Sequence, residues 1–185
     1  MLIAKEKKKS NIAEYILYMW QVEDMLRAFS LDMKRVDENI VSKYTIDDET
    51  KKEVYDWYDN ILEIMKREKV ETSGHIQALK NTVDELTELH FYLLYKVGDP
   101  IYRGLIMESA NSFVEYRKLS GIDDSISDVE MALQALYGVL MLRLQGKQIS
   151  KETEVALAGF SKVLACLATR YKEKEEEESK NPELM

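Results

Sequence analysis

Residues 15–29 read YILYMWQVEDMLRAF. Most of these residues are apolar, yet Glu23 and Arg27 stand one helical turn apart among them. At about 100° per residue, Ile12, Tyr15, Ile16, Met19 and Leu26 share one face of a helix, and Glu23 falls on its flank beside Ile16 and Met19. A carboxylate on a core-facing flank has two readings. In one it is half of a structural ion pair, with Arg27 four residues on or with Arg143. In the other it is held in a pocket, where it can act as an acid or base.

Working outward, the punctuation spells helix after helix. Ser10 is placed to cap the first, over 11–28, and Ser30 to start a short second one over 31–42. Thr45 with Asp48 forms a capping-box pattern that opens a third helix, running to Val70. Ser73 precedes a fourth over 74–96, stopped by Gly98. Asp99-Pro100 is a strong restart, with the cap followed by a residue whose missing N–H costs nothing there. That fifth helix ends at Gly121. Ser127 with Glu130 opens a sixth, ended by Gly146, and Ser150 caps a seventh running to Lys174. No segment shows a period of two, so the fold class expected is all-α, a single-domain irregular bundle of about seven helices. Residues 1–9 read as a basic N-terminal tail, 10–174 as the helical bundle domain and 175–185 as an acidic C-terminal tail.

Two helices depart from simple amphipathicity. In the sixth, Met131, Leu133, Leu136, Val139, Leu140, Met141, Leu142 and Leu144 go nearly all the way round, which predicts a central helix or one covered by a second subunit. Its exception is Arg143, either a last-turn cation reaching solvent or a buried one needing a carboxylate. In the fourth, Leu79, Val83, Leu86, Leu93, Leu94 and Val97 mark the inward face, with His90 among them. A lone core histidine is more often a hydrogen-bonded structural group than a ligand. Phe91, Tyr92 and Tyr95 occupy the other side of that helix and form a candidate interface. Ser109, Asn111 and Ser112 interrupt the apolar pattern of the fifth helix, as small groups that permit close packing.

Chemistry is hard to find. No glycine-rich phosphate loop, Gly-x-Ser-x-Gly elbow or His-Glu-x-x-His appears. The Glu-x-x-His spacing of a di-iron bundle fails at both His75 and His90, so no metal and no cofactor is expected. Cys166, the single cysteine, sits among Val163, Leu164, Leu167 and Ala168 as a structural thiol and fits a reducing compartment. A net charge of −8 argues against nucleic acid as a partner, and no stretch reaches the length of a membrane span. Glu14 breaks the apolar run after the first lysines, so no leader is expected and the cytoplasm is the default location.

At Asn11–Phe29, NIAEYILYMWQVEDMLRAF, and at Leu140–Thr153, LMLRLQGKQISKET, the chain resembles an uncharacterised family of short all-helical bacterial proteins, classed only as a domain of unknown function. The resemblance spans nearly the whole chain apart from the acidic tail. It implies a self-contained domain from a bacterial cytoplasm and supplies no activity, cofactor or catalytic residue. The residues therefore carry two expectations. The first is a non-enzymatic interaction or scaffolding domain that self-associates as a homodimer, its protein partner otherwise unknown. The second is a small-molecule-binding bundle or cryptic enzyme, with a pocket lined by Trp20, Glu23, His90 and Arg143.

Overall fold

The structure, a computed structural model, describes residues 2–180. Every regular element among them is helical: α1 Leu2–Ser10, α2 Ile12–Ala28, α3 Met33–Asn39, α4 Asp48–Arg67, α5 Gln77–Phe91, α6 Pro100–Ser120, α7 Asp128–Leu144 and α8 Lys151–Lys180. A 3-10 turn at Val41–Lys43 and a π-helical turn at Tyr92–Val97 complete the set. None of these helices is long and apolar enough to cross a membrane. The basic start is helical through Ser10, and the acidic run extends α8 to Lys180, supported by Lys172–Glu176 and Lys174–Glu178 pairs one turn apart. Residues 181–185, the end of the expected acidic tail, lie outside the described residues.

Several helix ends follow from their local chemistry. Asp99 caps α6 by accepting from the backbone N–H groups of Ile101 and Tyr102, both at 2.9 Å, with Pro100 in the first turn. Ser127 accepts from Glu130 N–H at 3.1 Å and Ser150 from Thr153 N–H at 3.2 Å. Gly98 and Gly121 take the left-handed conformation, at φ of 67° and 66°, that closes the elements before them. Other starts differ from the expectation. The short second helix of the sequence is α3, which begins at Met33 and is capped not by Ser30 but by Asp32, whose carboxylate accepts from Lys34 N–H at 3.0 Å. The cap of α4 is Asp47, not Thr45: its carboxylate accepts from both the backbone N–H and the hydroxyl of Thr50. And α5 begins at Gln77, not Gly74, for a reason that lies elsewhere in the chain.

The chain divides into two compact units. One comprises the residues up to Lys9 together with Glu14–Thr82; the other comprises Ser10–Ala13 and the chain from Val83 onward. In the first, Ile16, Met19, Trp20, Val22 and Leu26 of α2 are buried, as are Val54, Tyr58, Ile61, Leu62 and Met65 of α4. Here the helical face read from residues 15–29 appears as a buried stripe. In the second unit, α8 packs along both α6 and α7, with Phe160, Val163, Leu164 and Leu167 buried. Phe160 meets Phe113 at a ring separation of 4.5 Å and Tyr116 at 5.5 Å. Ser109 of α6 lies so close to Gly159 of α8 that a Cβ on the glycine would stand 2.8 Å from its Oγ. Small residues on both helices let these backbones approach.

The all-round apolar α7 is buried from its start only as far as Val139, at Val129, Met131, Ala132, Leu133, Ala135 and Val139. Leu142 and Leu144 emerge at its end, and Arg143 is exposed with them, 3.8 Å from Glu154. Arg143 is thus a last-turn cation reaching solvent, not a buried one.

Candidate functional site

Glu23 is fully buried, and its bonds are not those expected. Oε1 accepts from the backbone N–H of Ile76 at 2.9 Å, and Oε2 lies 2.5 Å from His75 Nδ1. An ionised carboxylate only accepts, and against it Nδ1 is the donor of this pair. The imidazole is stacked on Trp20, with ring centroids 4.4 Å apart and planes 14° from parallel. One turn along α2, Arg27 does not turn back to Glu23. Its Nη1 donates to Asp24 at 2.7 Å, while Nε and Nη2 donate to Val70 O at 3.3 and 3.1 Å. Nη2 also donates to Gly74 O.

This arrangement explains the connection between α4 and α5. Helix α4 ends with Lys69 in the left-handed region, at φ 58°, and Val70 N–H bonds back to Met65 O. The chain then runs from Val70 to Ile76 along α2. Arg27 takes carbonyls at Val70 and Gly74, and Glu23 takes the N–H of Ile76. Glu68 accepts from Gln77 N–H at 2.6 Å. Two carboxylates from outside the helix thus satisfy the first N–H groups of α5, which is why α5 starts here and Ser73 has no capping role. His75 carried no readable signal as Glu23's partner, since 52 residues separate them.

A second polar cluster lies in the other unit. His90 is buried, and its Nδ1 is 2.7 Å from the hydroxyl of the fully buried Tyr102. Burial pushes the His90 imidazole below its ordinary pKa, opposed in part by the charge of Asp128. Burial likewise pushes the Tyr102 phenol far up. Next to this pair, Arg170 of α8 donates from Nε to Asp99 Oδ2 at 2.8 Å. The N–H of Tyr102, assisted by Arg170, holds the Asp99 carboxyl below the usual range. Burial raises the Cys166 thiol, which leaves it protonated and suited to packing.

Of the four residues expected to line a pocket, Trp20 and Glu23 belong to the first unit, His90 and Arg143 to the second. None of the four lines either of two surface grooves in the second unit. One, of about 460 Å³, lies over Ile106, Phe113 and Val114. The other, of about 440 Å³, lies between the end of α5 and α8. Among the described residues, no group of three or more His, Cys, Asp or Glu side chains is placed to hold a metal ion.

The candidate interface is also in the second unit. Phe91, Tyr92 and Tyr95 are 50%, 54% and 72% exposed, and Ile101 is exposed beside them in sequence, as is Val97, which the π turn carries off the expected inward face. Phe91 and Tyr95 stack on each other, 6.1 Å apart. They stand where α5 widens into the π turn, in which Leu93 O accepts from both Gly98 N–H and Asp99 N–H. Arg103 donates from Nε to Leu94 O at 2.8 Å. Such turns are uncommon and concentrate at functional positions.

Fold and site together define an all-α domain in which buried carboxylates hold helix ends in place and the exposed aromatic residues Phe91, Tyr92 and Tyr95 share one turn. The chain belongs to the family described as Domain of unknown function (DUF4924), whose model matches residues 1–178. No curated protein and no solved structure matches it.

Two predictions follow from the buried groups. Replacing Glu23 by Gln leaves Ile76 N–H an acceptor but removes the charge that holds His75. The expected loss is about 1.5–3 kcal/mol, the range for a hydrogen bond to a charged group, read as a lower denaturant midpoint. An unchanged midpoint would show that the pair is not coupled to the fold. For His90, the depressed pKa means that folded and unfolded chains are both neutral there at alkaline pH. Once pH falls below about 6.5, the unfolded chain takes up a proton that the folded one resists, and stability drops. Wild type should therefore lose more midpoint than His90→Gln between about pH 8 and about pH 5. Equal losses would remove the assignment.

Proposed function

We propose that this protein is a non-enzymatic cytoplasmic interaction or scaffolding domain that self-associates as a homodimer through the aromatic end of α5. The observation that carries this reading is the exposure of Phe91, Tyr92 and Tyr95 together, with Val97 and Ile101 adding apolar surface. Single exposed apolar residues are ordinary; a group rich in Tyr and Phe on one turn is the composition of an interface. Leu142 and Leu144 at the open end of α7 offer further apolar surface. The location rests on the lone cysteine, which fits a reducing compartment.

One observation favours a second reading, a small-molecule site or cryptic enzyme built around Glu23. With Nδ1 of His75 bound to a buried carboxylate and its ring stacked against Trp20, Nε2 is left as the oriented, second nitrogen of a partly exposed imidazole. That is the mounting a proton-transfer group needs.

Native mass spectrometry of untagged protein separates the two. The interaction reading expects a dimer with no added mass, weakened by about tenfold or more when Phe91 and Tyr95 are both replaced by Ser. A wild-type monomer would contradict it. A reproducible extra mass that disappears in His75→Ala would favour the second reading.

A further inference from the structure

We infer that two copies pair antiparallel through the end of α5, about a two-fold axis at Tyr92, with Glu88 of each copy meeting Lys96 of the other. This rests on the self-association proposed above and adds its geometry and its charged contacts. Every residue it uses lies in the second unit, from Val83 onward.

Asp84, Glu88, Tyr92 and Lys96 follow one another at steps of four, so they run as one stripe along α5 and its π turn. All four are exposed. Phe91 and Tyr95, stacked with their planes 19° from parallel, flank the stripe. The stripe changes sign along its length, with two carboxylates before the aromatic residues and an ammonium after them. Asp84, Glu88 and Lys96 make no ion pair with any described residue. Glu85, in the same turn as Glu88, is taken by the Tyr171 hydroxyl at 2.8 Å. Arg103, exposed on the first turn of α6, donates to Leu94 O and adds a second positive charge at the π-turn end. The α8 charges that border Tyr92 are paired within the chain, Arg170 with Asp99 and Glu173, and Lys174 with Glu178, with Glu177 the exception.

A stripe of this kind complements itself only when reversed. Laid parallel, two copies bring carboxylate onto carboxylate and ammonium onto ammonium. Laid antiparallel about Tyr92, they bring Glu88 onto Lys96 twice, each pair about 6 Å along the axis from the aromatic centre. A second copy is the occupant because both halves of the complement stand on this one stripe, and a two-fold contact closes at two. Exposed ion pairs add little affinity of their own. Burial of the aromatic rings supplies the affinity, and the charges fix the direction of pairing.

The test is sedimentation velocity of the full chain over a concentration series. Glu88→Lys sets lysine against Lys96 at both contacts, and Lys96→Glu sets glutamate against Glu88. Both positions are exposed, and circular dichroism checks that helicity is retained. Each variant should dimerise more weakly than wild type by about tenfold or more, as expected for like charges brought together. The two changes move the net charge in opposite directions from −8, so a shared weakening is not an effect of net charge. Combined in one chain, Glu88→Lys/Lys96→Glu pairs opposite charges again at both contacts and should recover wild-type dimerisation. Either single variant dimerising like wild type would overturn the antiparallel pairing while leaving self-association through the aromatic turn standing. So would a combined variant as weak as the single ones. A wild type that sediments as a monomer would overturn both.

Discussion

A carboxylate buried near the C-terminal end of α2 governs how the first unit is put together. Removing Glu23 from water is costly unless its oxygens find donors, and here they find two, the Ile76 N–H and the His75 ring. Both lie on the connection between α4 and α5. The same turn of α2 sends Arg27 to the carbonyls of Val70 and Gly74. Donor and acceptor positions of one irregular segment are therefore read by a cation and an anion four residues apart. A pair that could have neutralised itself along the helix is used instead to fix a loop, and with it the first residue of α5.

The second unit applies the same principle to a different end. Asp99 caps α6 through one carboxylate oxygen and is bound by Arg170 of α8 through the other. The start of one helix is thereby tied to the helix along which both α6 and α7 pack. His90 and Tyr102 satisfy each other nearby. These polar groups are occupied in holding helix ends or in pairing within the core. Among the side chains left outside the core are the aromatic residues where α5 widens into the π turn and the last leucines of α7. The functional reading accordingly rests on that surface.

Much of this was legible in the residues. The buried face of α2, the Asp99-Pro100 restart, the Ser127 and Ser150 caps and the glycine stops are local signals, set by neighbours within a turn. Glu23 was legible as a misfit for the same reason. Its partner was not, because His75 and Ile76 are 52 and 53 residues away, and only the tertiary fold brings a donor so far along the chain to it. The start of α5 was misplaced on that account: its cap is not a neighbouring serine but carboxylates from α2 and from just beyond α4. Arg143 and the open end of α7 could not be read either, since an all-round apolar sequence does not say where along the helix cover stops. The π turn likewise has no local signature beyond the glycine that ends it.

The central claim is that the Glu23 carboxylate, by taking the Ile76 N–H, anchors the segment between α4 and α5. Amide hydrogen exchange at Ile76, followed by NMR in wild type and in Glu23→Ala, addresses it most directly. The account predicts a protected Ile76 amide in wild type and much faster exchange there and at neighbouring loop amides in the variant, with α8 amides such as those of Leu164 and Leu167 little changed. Equal protection of Ile76 in both proteins would contradict it, and would mean that the loop keeps its place without the carboxylate.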